Sequence, residues 1–332
     1  MSRLQRGGAG SLALALALLF PLWVIDCLLP VPVETASAEA STPLASLLFT
    51  PLLPLTQRMI ACALILLTAF LGRWLLVRYS AWGQHTYLLV LLASMWGTLL
   101  PVPPDVQLSA ACALTCLVFA LLTLLNTAQP ALLSSAVFRA SALLGICPLI
   151  YQPAWPLGLI PLVALFYRGA LRADRVLLML IGYALPAVAA WLACYLLGRP
   201  SEWLLPNPAS WSWQPVLWWD FVQRHVPIML FWALLLVLWI AHLLQARKPH
   251  SARIGAYLLT RGLLRAAVLL ACLGAATSHY PGVNQGLLSL PLAAGLSQFF
   301  VEGAQSRPRR ILFYAILAVT LGLAYAGRFV TL

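Results

Sequence analysis

Long apolar runs, broken by short links of arginine, proline and polar residues, recur from one end of the chain to the other. They lie near 11–30, 59–77, 86–103, 108–126, 138–151, 154–167, 177–197, 226–246, 263–278, 285–301 and 311–327. A hydrocarbon core of about 30 Å takes about 20 apolar residues of helix to cross. The pattern therefore predicts an all-α polytopic transmembrane bundle of about 9–11 segments, forming one integral membrane domain over 1–332. The pair 138–151 and 154–167 is short on both sides of Gln152-Pro153, and reads as two short crossings or as one re-entrant hairpin. Either way the chain returns to the side it left, so the parity of every later segment is unchanged.

Composition fits this reading. Hydrophobic residues make up 62% of the 332 positions, charged residues 8%, and mean hydropathy is +0.92. A soluble domain carries about 25% charged residues. The net charge of +12 is spread over short links rather than gathered on one tail or helix, which excludes a nucleic-acid-binding surface and marks topology instead. With the N-terminus cytoplasmic, sixteen of the twenty basic residues fall on the cytoplasmic side, all but Arg58, Arg199, Arg224 and Arg328. The acidic residues do the opposite: Asp26, Glu34, Glu39, Asp105, Glu202 and Asp220 fall outside, against Asp174 and Glu302 inside. Arg3 and Arg6 ahead of an apolar run, with Ala36-Ser37-Ala38 beyond it, resemble a signal peptide. The run is longer than the usual h-region, however, and is expected to stay as the first membrane helix.

The longest cytoplasmic link, 247–262, is too short for a nucleotide-binding domain, and no phosphate-loop motif occurs. The seven cysteines lie in or at the edges of apolar runs and read as small packing residues. Cys112 and Cys116 share a helix face, yet two thiols make a poor metal site, and the five histidines are scattered. No metal and no cofactor is expected.

Chemistry-bearing residues collect in the outer links 31–58 and 198–225. Asp26, near the outer end of the first helix, reads either as a carboxylate in an outward cavity, acting as general base, or as an interfacial charge ending the helix. Glu34 is a candidate second carboxylate. Link 198–225 carries Trp203, Trp211, Trp213, Trp218 and Trp219, five of thirteen tryptophans. Tryptophan prefers the headgroup level. Beside the indoles stand Arg199, Glu202, Asp220, Arg224 and His225. One reading has Arg199 and Arg224 holding a lipid phosphate, His225 shuttling a proton, and Trp218, Trp219 and Asp220 completing a substrate surface. The other has them as interfacial anchors with solvated charges.

Three stretches carry a resemblance: Phe138-Arg139-Ala140-Ser141 through Tyr151-Gln152-Pro153 and on to Arg168 and Arg172; Ile181-Gly182-Tyr183-Ala184-Leu185-Pro186; and Gly286-Leu287-Leu288-Ser289-Leu290-Pro291. In this order they resemble an uncharacterised family of polytopic inner-membrane proteins of Bacteroidota. Segment 138–197 is also distantly similar to polyprenol-phosphate-dependent glycosyltransferases of the GT-C architecture. In those, two short helices flank a polar-Pro break, an arginine-rich cytoplasmic link follows, and an acidic residue stands in the first outer loop, a place Asp26 or Glu34 matches. Where the break often carries lysine, this chain has Tyr151-Gln152-Pro153. The resemblance implies a bacterial inner membrane and, as partners, membrane lipids and a polyprenyl-phosphate-linked substrate. Two other readings stay open: a non-catalytic component of an envelope assembly, held to other membrane proteins, and a small-molecule or lipid transporter.

Overall fold

The structure, a computed structural model, describes residues 13, 16–21, 23–24, 42–49, 51–79, 87–97, 99, 102–127, 132–198, 219, 222–223, 225–245, 254–277, 285–302 and 306–329. Among these it forms α1 Pro43–Phe49, α2 Pro54–Tyr79, α3 Leu88–Gly97, α4 Pro104–Asn126, α5 Leu133–Ile150, a 3-10 helix Gln152–Leu159, α6 Ile160–Tyr167, α7 Ala173–Leu196, α8 Val226–Gln245, α9 Ile254–Ala276, α10 Gln285–Glu302 and α11 Arg307–Phe329. The described residues of the first apolar run are also helical. Among the described residues, seven helices are long and apolar enough to cross a membrane: Pro54–Tyr79, Pro104–Asn126, Leu133–Ile150, Ala173–Leu196, Val226–Leu244, Leu258–Ala276 and Arg307–Tyr325. The chain is an all-α, multi-pass membrane protein.

Two expected segments differ. The run 86–103 yields only the ten-residue α3, because Pro101, Pro103 and Pro104 end the helical stretch early. At about 1.5 Å per residue, α3 is about 15 Å long and cannot cross alone. Its side chains from Val90 to Trp96 are buried, so it is a core helix packed on α10. Trp96 ties it to its neighbours, donating to Thr320 Oγ1 at 3.3 Å and meeting Phe231 and Trp232 edge-on. The second difference is α9, which begins at Ile254 rather than near 263 and takes Arg261 and Arg265 into the helix.

Small residues set the closest approaches. A Cβ on Gly145 of α5 would lie 2.2 Å from the Tyr183 carbonyl oxygen, and one on Gly182 of α7 would lie 2.7 Å from that of Phe138. A Cβ on Gly274 of α9 would lie 2.0 Å from the Pro153 oxygen. Lipid tails are as apolar as leucine, so membrane helices associate through such backbone-close packing. Buried hydroxyls answer to their own helices: Thr68, Ser289, Ser297 and Thr320 each donate to a carbonyl three or four residues back.

Contacts at helix ends define two ends of the bundle. Tyr79, closing α2, donates to Asn126, closing α4, and Arg168, just past α6, bonds the Leu124 and Thr127 carbonyls there. The far end of α5 meets Thr42, whose hydroxyl donates to the Leu149 carbonyl. The 18 residues of α5 therefore cover about 27 Å from the Arg168 end to the Thr42 end, and the 3-10 helix with α6 covers about 28 Å back. The pair thus runs between the two ends of the bundle and back; of its two members, Leu133–Ile150 is long and apolar enough to cross a membrane, and Gln152–Tyr167 is a shorter apolar stretch. Gly262 faces Tyr167 and Gly274 faces Pro153, so α9 runs from the Arg168 end to the Thr42 end. α10 starts with Gly286 against Ala110 near the head of α4, and its Phe299 meets His242 of α8 and Arg309 of α11 at the other end.

Candidate functional site

The Thr42 end is assembled around the prolines. Pro153 has no N–H to give the Leu149 carbonyl, four residues back, and the Thr42 hydroxyl supplies that donor from outside the helix. The Ile150 carbonyl lies 3.3 Å from the same oxygen. Thr42 Oγ1 also accepts from the Ala45 N–H at 3.2 Å, capping α1. Thr42→Val is thus expected to cost about 2 kcal/mol, through an orphaned buried carbonyl and a lost cap, while Thr42→Ser retains most of the stability. Thermal unfolding of the two variants in the same detergent checks this.

Beyond Pro153, the Tyr183 hydroxyl donates to the Trp155 carbonyl at 2.9 Å, and Trp155 Nε1 donates to Thr277 Oγ1 at 3.2 Å. The Tyr183 ring lies on Gly158. Two prolines within the 3-10 helix make such outside donors necessary, since irregular backbone at membrane depth must be satisfied by protein. Tyr151 is fully buried beside them. A narrow recess opens nearby between α2, α4 and the start of α10, about 310 Å³ to its open mouth, with Gln107 as its polar side chain among Gly97, Val102, Val106 and Gly286. Its enclosed part has room for about one water molecule.

Of the residues singled out from the sequence, Trp219 and His225 are described. Trp219 is helical and 65% exposed, and His225 is half-buried one residue ahead of α8. The opposite end of α8 meets Phe299, so His225 stands at the Thr42 end. Asp26, Glu34, Arg199, Trp218, Asp220 and Arg224 lie outside the described residues. The structure adds Trp191 and Tyr195 on the last turns of α7, with stacked rings 6.0 Å apart, both exposed. They sit inside an apolar run, where hydropathy alone gives no reason to set them apart from lipid-facing leucines.

The thiols also differ from the sequence picture. Cys147 of α5 points at α4, with its Sγ 3.7 Å from the Ala113 carbonyl, between Cys112 and Cys116. Spacing along the chain hides this third thiol, which is brought in by α4–α5 packing. Among the described residues no three His, Cys, Asp or Glu side chains are placed to hold a metal.

The fold defines the class: an integral, multi-pass helical membrane protein. No family model, curated protein or solved structure matches the chain.

Proposed function

We propose that this membrane protein binds a lipid-linked substrate of the polyprenyl-phosphate type at its Thr42 end, in a GT-C-like arrangement, with the Arg168 end and the N-terminus cytoplasmic. The exposed aromatic surface at that end carries the reading. Trp191 and Tyr195 close α7 just ahead of link 198–225, and Trp219 is exposed within it. Flat rings with a polar edge suit an isoprenoid chain or a sugar face at the headgroup level. On this reading Arg199 and Arg224 hold the phosphate, His225 moves a proton, and Asp26, with Glu34 beside it, supplies the general base.

Binding of a polyprenyl-phosphate sugar to the protein in nanodiscs tests the proposal. Trp219→Ala is expected to weaken binding roughly tenfold, and Asp26→Asn to abolish transfer while leaving binding. No binding by the wild type, together with Asp26→Ala cells indistinguishable from wild type, sinks it. A scaffold role is the second reading, favoured by α7: Leu177, Leu180, Ile181, Leu185 and Val188 are all exposed, and Met179 and Gly182 are its buried residues. That face suits a partner helix as well as lipid. Cross-linking in native membranes that recovers only the monomer removes this second reading. The transporter reading gains no support from an interior filled by Trp96, Met95, Phe300 and Phe313.

A further inference from the structure

Three free thiols meet where α4 packs on α5. Cys112 and Cys116 stand one turn apart on α4, and Cys147 reaches in from α5. Cys147 Sγ lies 3.7 Å from the Ala113 carbonyl of α4 and 3.6 Å from the Leu143 carbonyl of its own helix. The thiols of Cys116 and Cys147 are in hydrogen-bond contact across the two helices. Cys116 is twelve residues into α4, about 18 Å from its head, well inside the apolar span.

The two partners differ in access. Cys147 is fully buried, whereas Cys116 is half-buried. Beyond its first turn, the positions of α4 that are not buried are Cys112, Thr115, Cys116, Phe119, Thr123 and Asn126. They recur every three or four residues, so they form one narrow stripe facing out of the bundle. On a membrane-spanning helix that stripe borders lipid chains. Cys116 is therefore reached from the lipid, with Cys147 directly behind it. A thiolate or a bound cation here would place charge in an apolar interior, which is costly. Among the described residues no third ligand is placed to hold a metal. A disulfide is neutral and carries no such cost. Thiols already in contact are placed to form one. An oxidant that arrives along this stripe has to dissolve in lipid, which selects an organic hydroperoxide, the oxidation product of the lipid chains themselves.

We propose that Cys116 and Cys147 are a redox pair, oxidised by a lipid hydroperoxide to a disulfide that fastens α4 to α5. Cys116 Sγ attacks the terminal oxygen of the hydroperoxide and the O–O bond breaks. The lipid alcohol leaves with the thiol proton, and Cys116 becomes a sulfenic acid. Cys147 Sγ then attacks the Cys116 sulfur, and the S–S bond forms. Water departs, made from the sulfenic hydroxyl and the Cys147 proton. Two electrons pass from the two thiols to the peroxide, and no further reactant is needed. The proposal is independent of the reading of the Thr42 end.

The test treats the full-length protein in nanodiscs with cumene hydroperoxide, which enters lipid, or with hydrogen peroxide, which stays in water. Remaining thiols are then blocked with N-ethylmaleimide in denaturant, and the peptides are mapped by mass spectrometry. Cumene hydroperoxide is expected to link Cys116 to Cys147 about tenfold faster than hydrogen peroxide does. Cys194 and Cys272 are expected to remain blockable over the same interval. Cys112→Ser is expected to leave the link intact, and Cys147→Ser to leave a sulfenic acid on Cys116 that a dimedone probe captures. The wild-type maps decide the outcome even where a variant does not fold. The proposal is overturned if no Cys116–Cys147 link forms with cumene hydroperoxide in excess, or if Cys112 is linked to Cys147 instead. Equal rates with the two oxidants, or oxidation of Cys194 or Cys272 as fast as the pair, overturn it equally.

Discussion

Gly145→Ala is expected to destabilise the protein by about 3 kcal/mol, more than an ordinary surface change by several-fold. A methyl group at 145 would stand 2.2 Å from the Tyr183 carbonyl oxygen. That oxygen belongs to the α7 backbone and cannot swing aside as a side chain would, so the two helices must separate. Separation also opens the contact one turn away, where Gly182 lies against the Phe138 carbonyl. The two substitutions should therefore be less than additive: once Gly145→Ala has moved α7 outward, Gly182→Ala meets a gap already made. Unfolding of both single variants and the double variant in denaturant–detergent mixtures reads this directly. Additive losses would mean that each glycine acts through its own helix and not through the shared interface. Because α7 touches the rest of the bundle mainly along this line, the same variants should release the Tyr183 contact to Trp155 and loosen the 3-10 helix behind it.

This interface shows what could and could not be read from the sequence. Gly182 and Pro186 stand out as breakers in an apolar run, and the run itself announces α7. What the glycines touch depends on the crossing of two segments, which composition does not encode. The same division holds elsewhere. Pro153 predicts a break between α5 and α6, but not that the break continues as eight residues of 3-10 helix, or that Thr42, more than a hundred residues earlier, supplies the missing donor. Hydropathy misplaces the start of α9 because two arginines lower the local average, though both lie in regular helix. It overextends α3 because Leu99, Leu100 and Val102 are apolar, although the helix ends at Gly97, ahead of the prolines. For the candidate site, the sequence points to residue types gathered in outer links; of these Trp219 and His225 fall among the described residues, and His225 stands at the start of α8. The exposed pair Trp191 and Tyr195 comes from α7 facing outward, a consequence of packing alone.

Arg168→Gln carries the second large expected effect, a loss of about 3 kcal/mol. α4 ends with carbonyls that no later turn of helix can satisfy, and its C-terminus is the negative pole of the helix dipole. Arg168 meets both needs at once, with Nη1 donating to Thr127 O and Nη2 to Leu124 O, each at 2.5 Å. Burial pulls its guanidinium down from the ordinary value, yet it remains protonated across the physiological range. A glutamine amide is too short to span the two carbonyls and carries no charge for the dipole. Lysine keeps the charge but offers a point where the geometry asks for a fork, so Arg168→Lys should recover roughly half the loss. Arg172→Gln, which breaks a pair exposed on both partners, should stay within about 0.5 kcal/mol of wild type. That contrast separates a cap with a fixed geometry from general positive charge at this end: equal losses at 168 and 172 would show that charge alone is at work. The bond also closes the return traverse of the α5–α6 pair onto α4. In Arg168→Gln the segment around Tyr167 and Gly169 should therefore gain protease sensitivity before the rest of the bundle unfolds.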